Sequence, residues 1–406
     1  MLLHLLAFTG VTTAQSFDTI GGFRPFGPGY NHGAYPQDFN VVGPALEAVH
    51  DSQTAPTGLA ELRPDSQQRS NLHRLQQREA VAFSGDPELH DGPEPTTCFL
   101  NVQNVVLDSI GQLWIVDSGI PYYDAVAGMN QAIHGGAKIM SFNQTTSELL
   151  RTYTVPQDLL AHGTNINDLR INNTLGTNGY AFITDESTNS SILAINLDDG
   201  STVRRLFNTS VVRADDKYVG SYDGNLIYGW NGTKKSFLNT GADGIALASG
   251  NFYYGVLASR RFYFFSQSLV VNTSVSDAEV LAAVQFPGQC ASEQAGFTAD
   301  DQGRVYILAS EQNAIYYGDT AYPVNETVNG ISGNSTGLIP AEDYVVKTLV
   351  RNGMIQHADS AAILDWYLYF CTNQLELGPS RQYNNTDNRK GPFRSFRVWI
   401  GRGPAV

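Results

Sequence analysis

Five times along the chain, polar side chains stand just ahead of a short apolar run: Gln103 and Asn104, Asn167 and Asp168, Asp243, Glu293 and Gln294, and His357 with Asp359. Asn101 and Asn165 lie a little upstream of the first two pairs. Carboxylates and amides that converge from separate segments offer three kinds of chemistry. They can give oxygen ligands to a hard cation such as calcium, pass protons or hydrogen bonds to a reacting carbonyl or hydroxyl, or orient a small molecule without reaction. His357, Asp359 and Asp168 are the candidate catalytic set, because an imidazole beside a carboxylate titrates near neutral pH. Asn101, Gln103, Asn104, Asn165, Asn167, Asp243, Glu293 and Gln294 read as ligand-binding positions. The same residues have a plainer use, since polar groups at strand starts also bond one another and hold neighbouring strands together.

These positions belong to a repeated unit, in which the apolar run is followed by Gly and then by an aromatic-rich run. It reads 103–108 (QNVVLD) with 111–119 (GQLWIVDSG), and returns as 167–171 (NDLRI) with 179–185 (GYAFITD). Further copies are 243–247 (DGIAL) with 250–254 (GNFYY), 296–300 (GFTAD) with 303–308 (GRVYIL), and 359–363 (DSAAI) with 366–370 (WYLYF). A third run, such as 137–142 (AKIMSF) or 262–265 (FYFF), comes after the aromatic one. Short β-branched and aromatic runs punctuated by Gly, Asn and Asp are strand-and-turn sequence, and four such strands per repeat make a propeller blade.

Counting 55–60 (APTGLA) as the inner strand of a degenerate first blade gives the expected architecture. It is all-β: a six-bladed β-propeller with four-stranded antiparallel blades around a central channel. One domain spans 15–406, with 15–45 as an irregular arm, 61–82 as a polar insertion in the first blade, and 396–400 (FRVWI) closing the ring.

A content of 42% hydrophobic and 11% aromatic residues suffices for a large core, which excludes disordered and fibrous classes. A net charge of −14 opposes binding to nucleic acid or to an anionic membrane surface. No stretch reaches the ~18 apolar residues of a membrane span, no Gly-x-Ser-x-Gly nucleophile turn is present, and no Gly-rich phosphate loop precedes a helix. The expected partner is a small molecule, with no cofactor.

Residues 1–14 read as a secretory signal peptide cleaved near Ala14. Secretion agrees with nine Asn-x-Ser/Thr sites, at Asn143, Asn172, Asn189, Asn208, Asn231, Asn272, Asn325, Asn334 and Asn384. Cys98, Cys290 and Cys371 allow one disulfide, in any of three pairings, and leave one thiol over.

The segments 111–119, 167–169 (NDL) with 182–185 (FITD), 243–247 and 393–398 (FRSFRV) resemble the Yellow and major royal jelly proteins, including their secreted fungal relatives. The resemblance covers most of the chain from about residue 97 and implies a secreted six-bladed propeller with a ligand pocket at one end of its channel. Insect members look like pigment-pathway, amine-binding or nutritive proteins, whereas some fungal ones act as cofactor-free hetero-Diels–Alder cyclases. The leading expectation is therefore a cyclase of specialised metabolism, for example one joining a terpenoid to a reactive polyketide, in a pocket lined by aromatic residues. A non-enzymatic binding protein is the alternative. A calcium-dependent lactonase-type hydrolase is a second alternative, although the Glu that such propellers carry on their first inner strand is replaced here by the Thr57-Gly58 region.

Overall fold

The aromatic and β-branched runs pair as antiparallel strands, and the sheets they form are the blades of a propeller. The computed structural model describes residues 41–44, 95–96, 99–120, 131–144, 146, 148–230, 232–322, 337–390 and 393–405. Within them lie five four-stranded blades, four of them hydrogen-bonded in sequence order from the channel outward and the fifth completed on its outer edge by an N-terminal strand. Their innermost strands are Val102–Leu107 in blade 1, Ile166–Asn172 in blade 2, Ala242–Ala248 in blade 3, Gln294–Ala299 in blade 4 and Ala358–Leu364 in blade 5. The expected first blade, including 55–60 and the insertion 61–82, lies outside the described residues, as do the signal peptide and Cys98.

Blade 5 is closed by the N-terminal part of the chain. Its order from outside to channel is Val41–Pro44, Arg394–Trp399, Tyr367–Thr372 and Ala358–Leu364. Val41–Pro44 is thus a paired strand rather than part of an irregular arm. This closure satisfies an edge that would otherwise offer open backbone groups to other chains.

The Gly between the first two strands of the repeat has a specific duty. In blade 1, Asp108 accepts from the backbone N–H of Ile110 at 3.0 Å and of Gln112 at 2.8 Å, and Gly111 takes φ 82° to complete the turn. The other carboxylate oxygen accepts from the Trp114 indole at 2.8 Å, which locks the aromatic strand to the turn. Blade 4 repeats the device: Asp300 accepts from the N–H groups of Gln302 and Arg304 at 2.9 Å and from the Tyr306 hydroxyl at 2.9 Å, with Gly303 at φ 78°. A positive φ is costly for any residue with a Cβ, hence Gly at both places.

The aromatic strands form the core between blades. Trp114 and Ile139 of blade 1 pack on Ile183 and Leu193 of blade 2, and Phe182 of blade 2 packs on Phe252 and Tyr254 of blade 3. Tyr253 of blade 3 shares a cluster with Phe297 and Ile307 of blade 4, whose Tyr306 and Leu308 meet Phe370 of blade 5. Each large side chain fully buried this way contributes about 1.5–3 kcal/mol.

Cys290 and Cys371 are buried free thiols, so the bridge between these two is ruled out. Burial pushes both up to about 12, and Cys290 Sγ lies 3.1 Å from Gln294 Oε1. No described helix is long and apolar enough to cross a membrane.

Candidate functional site

Every inner strand breaks its pairing at the same place. The register shifts between Val102 and Asn104, Ile166 and Leu169, Ala242 and Ile245, Gln294 and Phe297, and Ala358 and Ala361. A bulge releases the intervening residues from the ladder and re-aims their side chains. The released residues are Gln103, Asn167 and Asp168, Asp243 and Gly244, Ala295 and Gly296, and Asp359 and Ser360. The strands approach so closely here that a Cβ on Gly244 would fall 2.6 Å from the Gly296 Cα, and one on Gly296 would fall 1.9 Å from the Asp359 carbonyl oxygen.

The bulges surround a cavity of about 170 Å³ at one end of the channel. Gln103, Asn167, Asp168, Asp243, Ala295, His357 and Asp359 line it, together with Glu186, Leu257, Asn373, Leu375 and Arg389. Asp168 accepts from Asn104 Nδ2 and from the Ile245 N–H at 3.2 Å. Asn167 donates to Asp243 Oδ1 at 2.5 Å, and Asn373 donates to Asp359 Oδ2 at 2.7 Å. Half-buried Glu186 accepts from Asn165 at 2.5 Å and from Asn167 at 3.4 Å.

Four carboxyls in one small volume hold their protons to unusual pH. Burial pushes Asp168 up to about 6, against the pull of Arg170 and its hydrogen bonds. Burial also raises Asp359 to about 7, opposed by His357 and reinforced by Asp168. Glu186 reaches about 8 through burial and the nearby Asp359, Asp185 and Asp168. Asp243 is raised well above the usual carboxylate range by burial and by Glu186, Asp168 and Asp359. At neutral pH the cavity therefore holds carboxylic acids, which donate hydrogen bonds and protons, beside amides and carboxylates that accept them.

A second cavity of about 530 Å³ lies outward of the first, lined by Asn101, His162, Asn165, Thr188 and Asn239 among others. Glu186 lines both cavities. Asn101 and Asn165 are held in place by the acids that end the second strands: Asp117 accepts from the Asn101 N–H at 2.9 Å, and Asp185 from the Asn165 N–H at 3.0 Å. Among the described residues no Phe, Tyr or Trp side chain lines either cavity; those of the second strands face the seams between blades.

Of the sequence-predicted residues, six share the inner cavity, Asn104 lies behind Asp168, and Asn101 and Asn165 line the outer cavity. Glu293 and Gln294 line neither. Glu293 accepts from Arg381 Nη1 at 2.7 Å, and Gln294 donates to the Arg261 carbonyl at 2.7 Å. His357 is not paired with Asp359; its Nδ1 lies 2.6 Å from Glu376 Oε1. Burial works against a charge on His357, yet Glu376, Asp359 and Glu293 raise its pKa overall. Sequence reasoning missed Glu186, Asn373, Glu376, Arg381 and Arg389. Glu186 directly follows the FITD run; the other four sit in the long connection between the second and third strands of blade 5, outside the repeated unit.

A cation would need oxygen donors that are free to turn inward. Among the described residues, no three or more His, Cys, Asp or Glu side chains are placed to hold a metal ion. Asp168, Asp243 and Asp359 are instead each engaged by an amide.

Several solved structures share the general shape at low identity. The luciferin-regenerating enzyme is 13% identical, with 76% of this chain and 80% of that chain covered and a TM-score of 0.42. A putative gluconolactonase is 10% identical over 75% and 76% of the two chains, with a TM-score of 0.39. Virginiamycin B lyase from Staphylococcus aureus is 13% identical over 77% and 86%, with a TM-score of 0.37. No curated protein matches the chain. The family model described as "Major royal jelly protein" matches residues 100–357, which takes in blades 1 to 4 and ends just before the innermost strand of blade 5. The chain belongs to the major royal jelly protein family.

Proposed function

We propose that this protein is a secreted, N-glycosylated, six-bladed propeller that binds an oxygenated small organic molecule and promotes its cyclisation without a cofactor. The convergence of Asp168, Glu186, Asp243 and Asp359 on one cavity supports this reading above all. A protonated carboxyl there donates to a carbonyl, or protonates a departing hydroxyl, while its neighbours accept the proton released. Fixed donors in a dry site stabilise developing charge without reorganising, and holding two partners in reactive geometry serves a cycloaddition directly.

The two cavities divide the work. A volume of about 170 Å³ admits only the reacting end of a substrate. The outer cavity of about 530 Å³, joined to it at Glu186, takes the remainder. Its polar lining favours an oxygen-rich body such as a reactive polyketide.

The test is turnover by the purified full chain with hydroxylated polyketide precursors and alkene partners, reading rate and stereochemistry of the product. Asp243→Asn and Glu186→Gln should each lower kcat by roughly 10²–10⁴. A protein that binds such compounds in a calorimeter yet leaves their cyclisation rate and stereochemistry unchanged is a binding protein, and the cyclase reading then fails.

A further inference from the structure

The channel does not run open from end to end. Arg170, on the inner strand of blade 2, projects two residues beyond Asp168 and reaches across to blade 4, donating to the Phe297 carbonyl oxygen. It also donates through Nη1 to the Leu169 carbonyl at 2.6 Å. On its far side lies a third cavity, of about 540 Å³, which Arg170 lines and which has no part in the acid cavity.

The chemistry of this cavity differs from that of the acid end. Its walls are mixed, with Val106, Ile171, Leu247 and Ile363 beside the polar Asn104, Ser109, Thr298 and Ser360, and with the C-terminal segment 403–405 across it. Of its two acidic residues, Asp108 is occupied by the three N–H donors of its turn, and Asp365 stands on the exposed rim. Arg170 is the cationic side chain in the lining. Its two bonds to neutral carbonyls leave unused donors from the five N–H groups that a guanidinium carries. Asp168 attracts it electrostatically, and burial works against its charge. A half-buried cation in a cavity whose walls are partly apolar gains from an anion that brings its own apolar body.

We infer that this cavity is a second ligand site, separate from the acid end, for a carboxylate with an extended apolar body whose oxygens meet Arg170. A volume of about 540 Å³ falls within the ~300–1,000 Å³ typical of small-molecule sites. The apolar tail lies along the half-buried inner faces of blades 1 and 5, and the head is fixed bidentately by the guanidinium.

Titration calorimetry of the full chain with decanoate and with decanamide separates the charge from the tail. Decanoate should bind at least about tenfold more tightly than the neutral amide, which corresponds to the roughly 1.4 kcal/mol of one charge-assisted contact. Arg170→Met should bring the two ligands to within about twofold of each other, and Arg170→Lys should keep part of the preference. Ala361→Phe, which fills the cavity while leaving Arg170 in place, should weaken both ligands about equally. Thermal melts confirm that each variant is folded; if Arg170→Met is not, the lysine and phenylalanine variants decide. Equal affinity of the wild-type protein for decanoate and decanamide, no binding of decanoate, or binding unaffected by Ala361→Phe would overturn the inference. None of these results depends on whether the acid end catalyses a reaction.

Discussion

Asn167 reaches from blade 2 to donate its amide to Asp243 of blade 3 at 2.5 Å, and the same nitrogen lies 3.4 Å from Glu186. One neutral side chain thus bridges two carboxyls that repel each other when ionised. Asn167→Leu removes the bridge and leaves Asp243 without that donor, a change worth about 1–3 kcal/mol. At about 1 °C per kcal/mol for a chain of 406 residues, the melting temperature should fall by roughly 1–4 °C. Scanning calorimetry checks this, and a shift below 1 °C would show that the amide does not hold the pair.

The acid cluster sets a pH dependence of stability whose sign is opposite to that of an ordinary salt-bridged carboxylate. Asp168, Asp359 and Glu186 have folded pKa values of about 6, 7 and 8, all above their unfolded values, and Asp243 is raised as well. Between about pH 4 and 8 the folded state therefore binds more protons than the unfolded chain, so stability falls as pH rises. The melting temperature should be higher at pH 5 than at pH 8, and Asp243→Asn should flatten the slope. A profile rising from pH 5 to 8 would contradict the protonated cluster.

Glu293 and Arg381 form a buried ion pair at 2.7 Å, with side chains 1% and 5% exposed. Arg381→Met strands the carboxylate and should cost about 3–5 kcal/mol. The double variant Arg381→Met with Glu293→Gln should recover much of that loss, because the uncompensated charge is gone. Chemical denaturation of the two variants makes the comparison, and equal losses in both would assign the effect to packing alone.

Sequons differ in whether a glycan could reach them. Asn172 is 8% exposed, and its amide nitrogen donates to Gln267 at 2.7 Å. Asn208, Asn272 and Asn384 are exposed. In protein secreted from a eukaryotic host, mass spectrometry after enzymatic deglycosylation in water carrying heavy oxygen should find those three labelled and Asn172 unlabelled. Substantial occupancy at Asn172 would mean that modification precedes folding of blade 2.

Much of the channel was legible because the polar pair ahead of each apolar run coincides with the bulge. Asp168, Asp243 and Asp359 stand at the predicted position and meet in one cavity. Blade 4 departs from the pattern: its released residues are Ala295 and Gly296, so Glu293 and Gln294 precede the bulge and bond to neighbouring segments. Glu186 was hidden because it belongs to the end of a second strand, where the repeat shows structural acids such as Asp117 and Asp185. The partner of His357 was hidden for another reason. Glu376 is 19 residues away in a long connection outside the repeated unit, and no periodicity points to it. Most of the aromatic side chains that mark the second strand serve the seams between blades, whereas Trp366 lines the third cavity.

The bulge shared by the five inner strands gives the ring a division of labour. Side chains at the bulge bond one another across blades, as Asn167 does with Asp243, while the ladders on either side are satisfied by backbone whatever residue stands there. A change of ligand is therefore written in neighbouring pairs, like letters replaced two at a time in a word whose spacing is fixed. Gly244 and Gly296 are the letters that cannot change, because the strands meet there too closely for any Cβ.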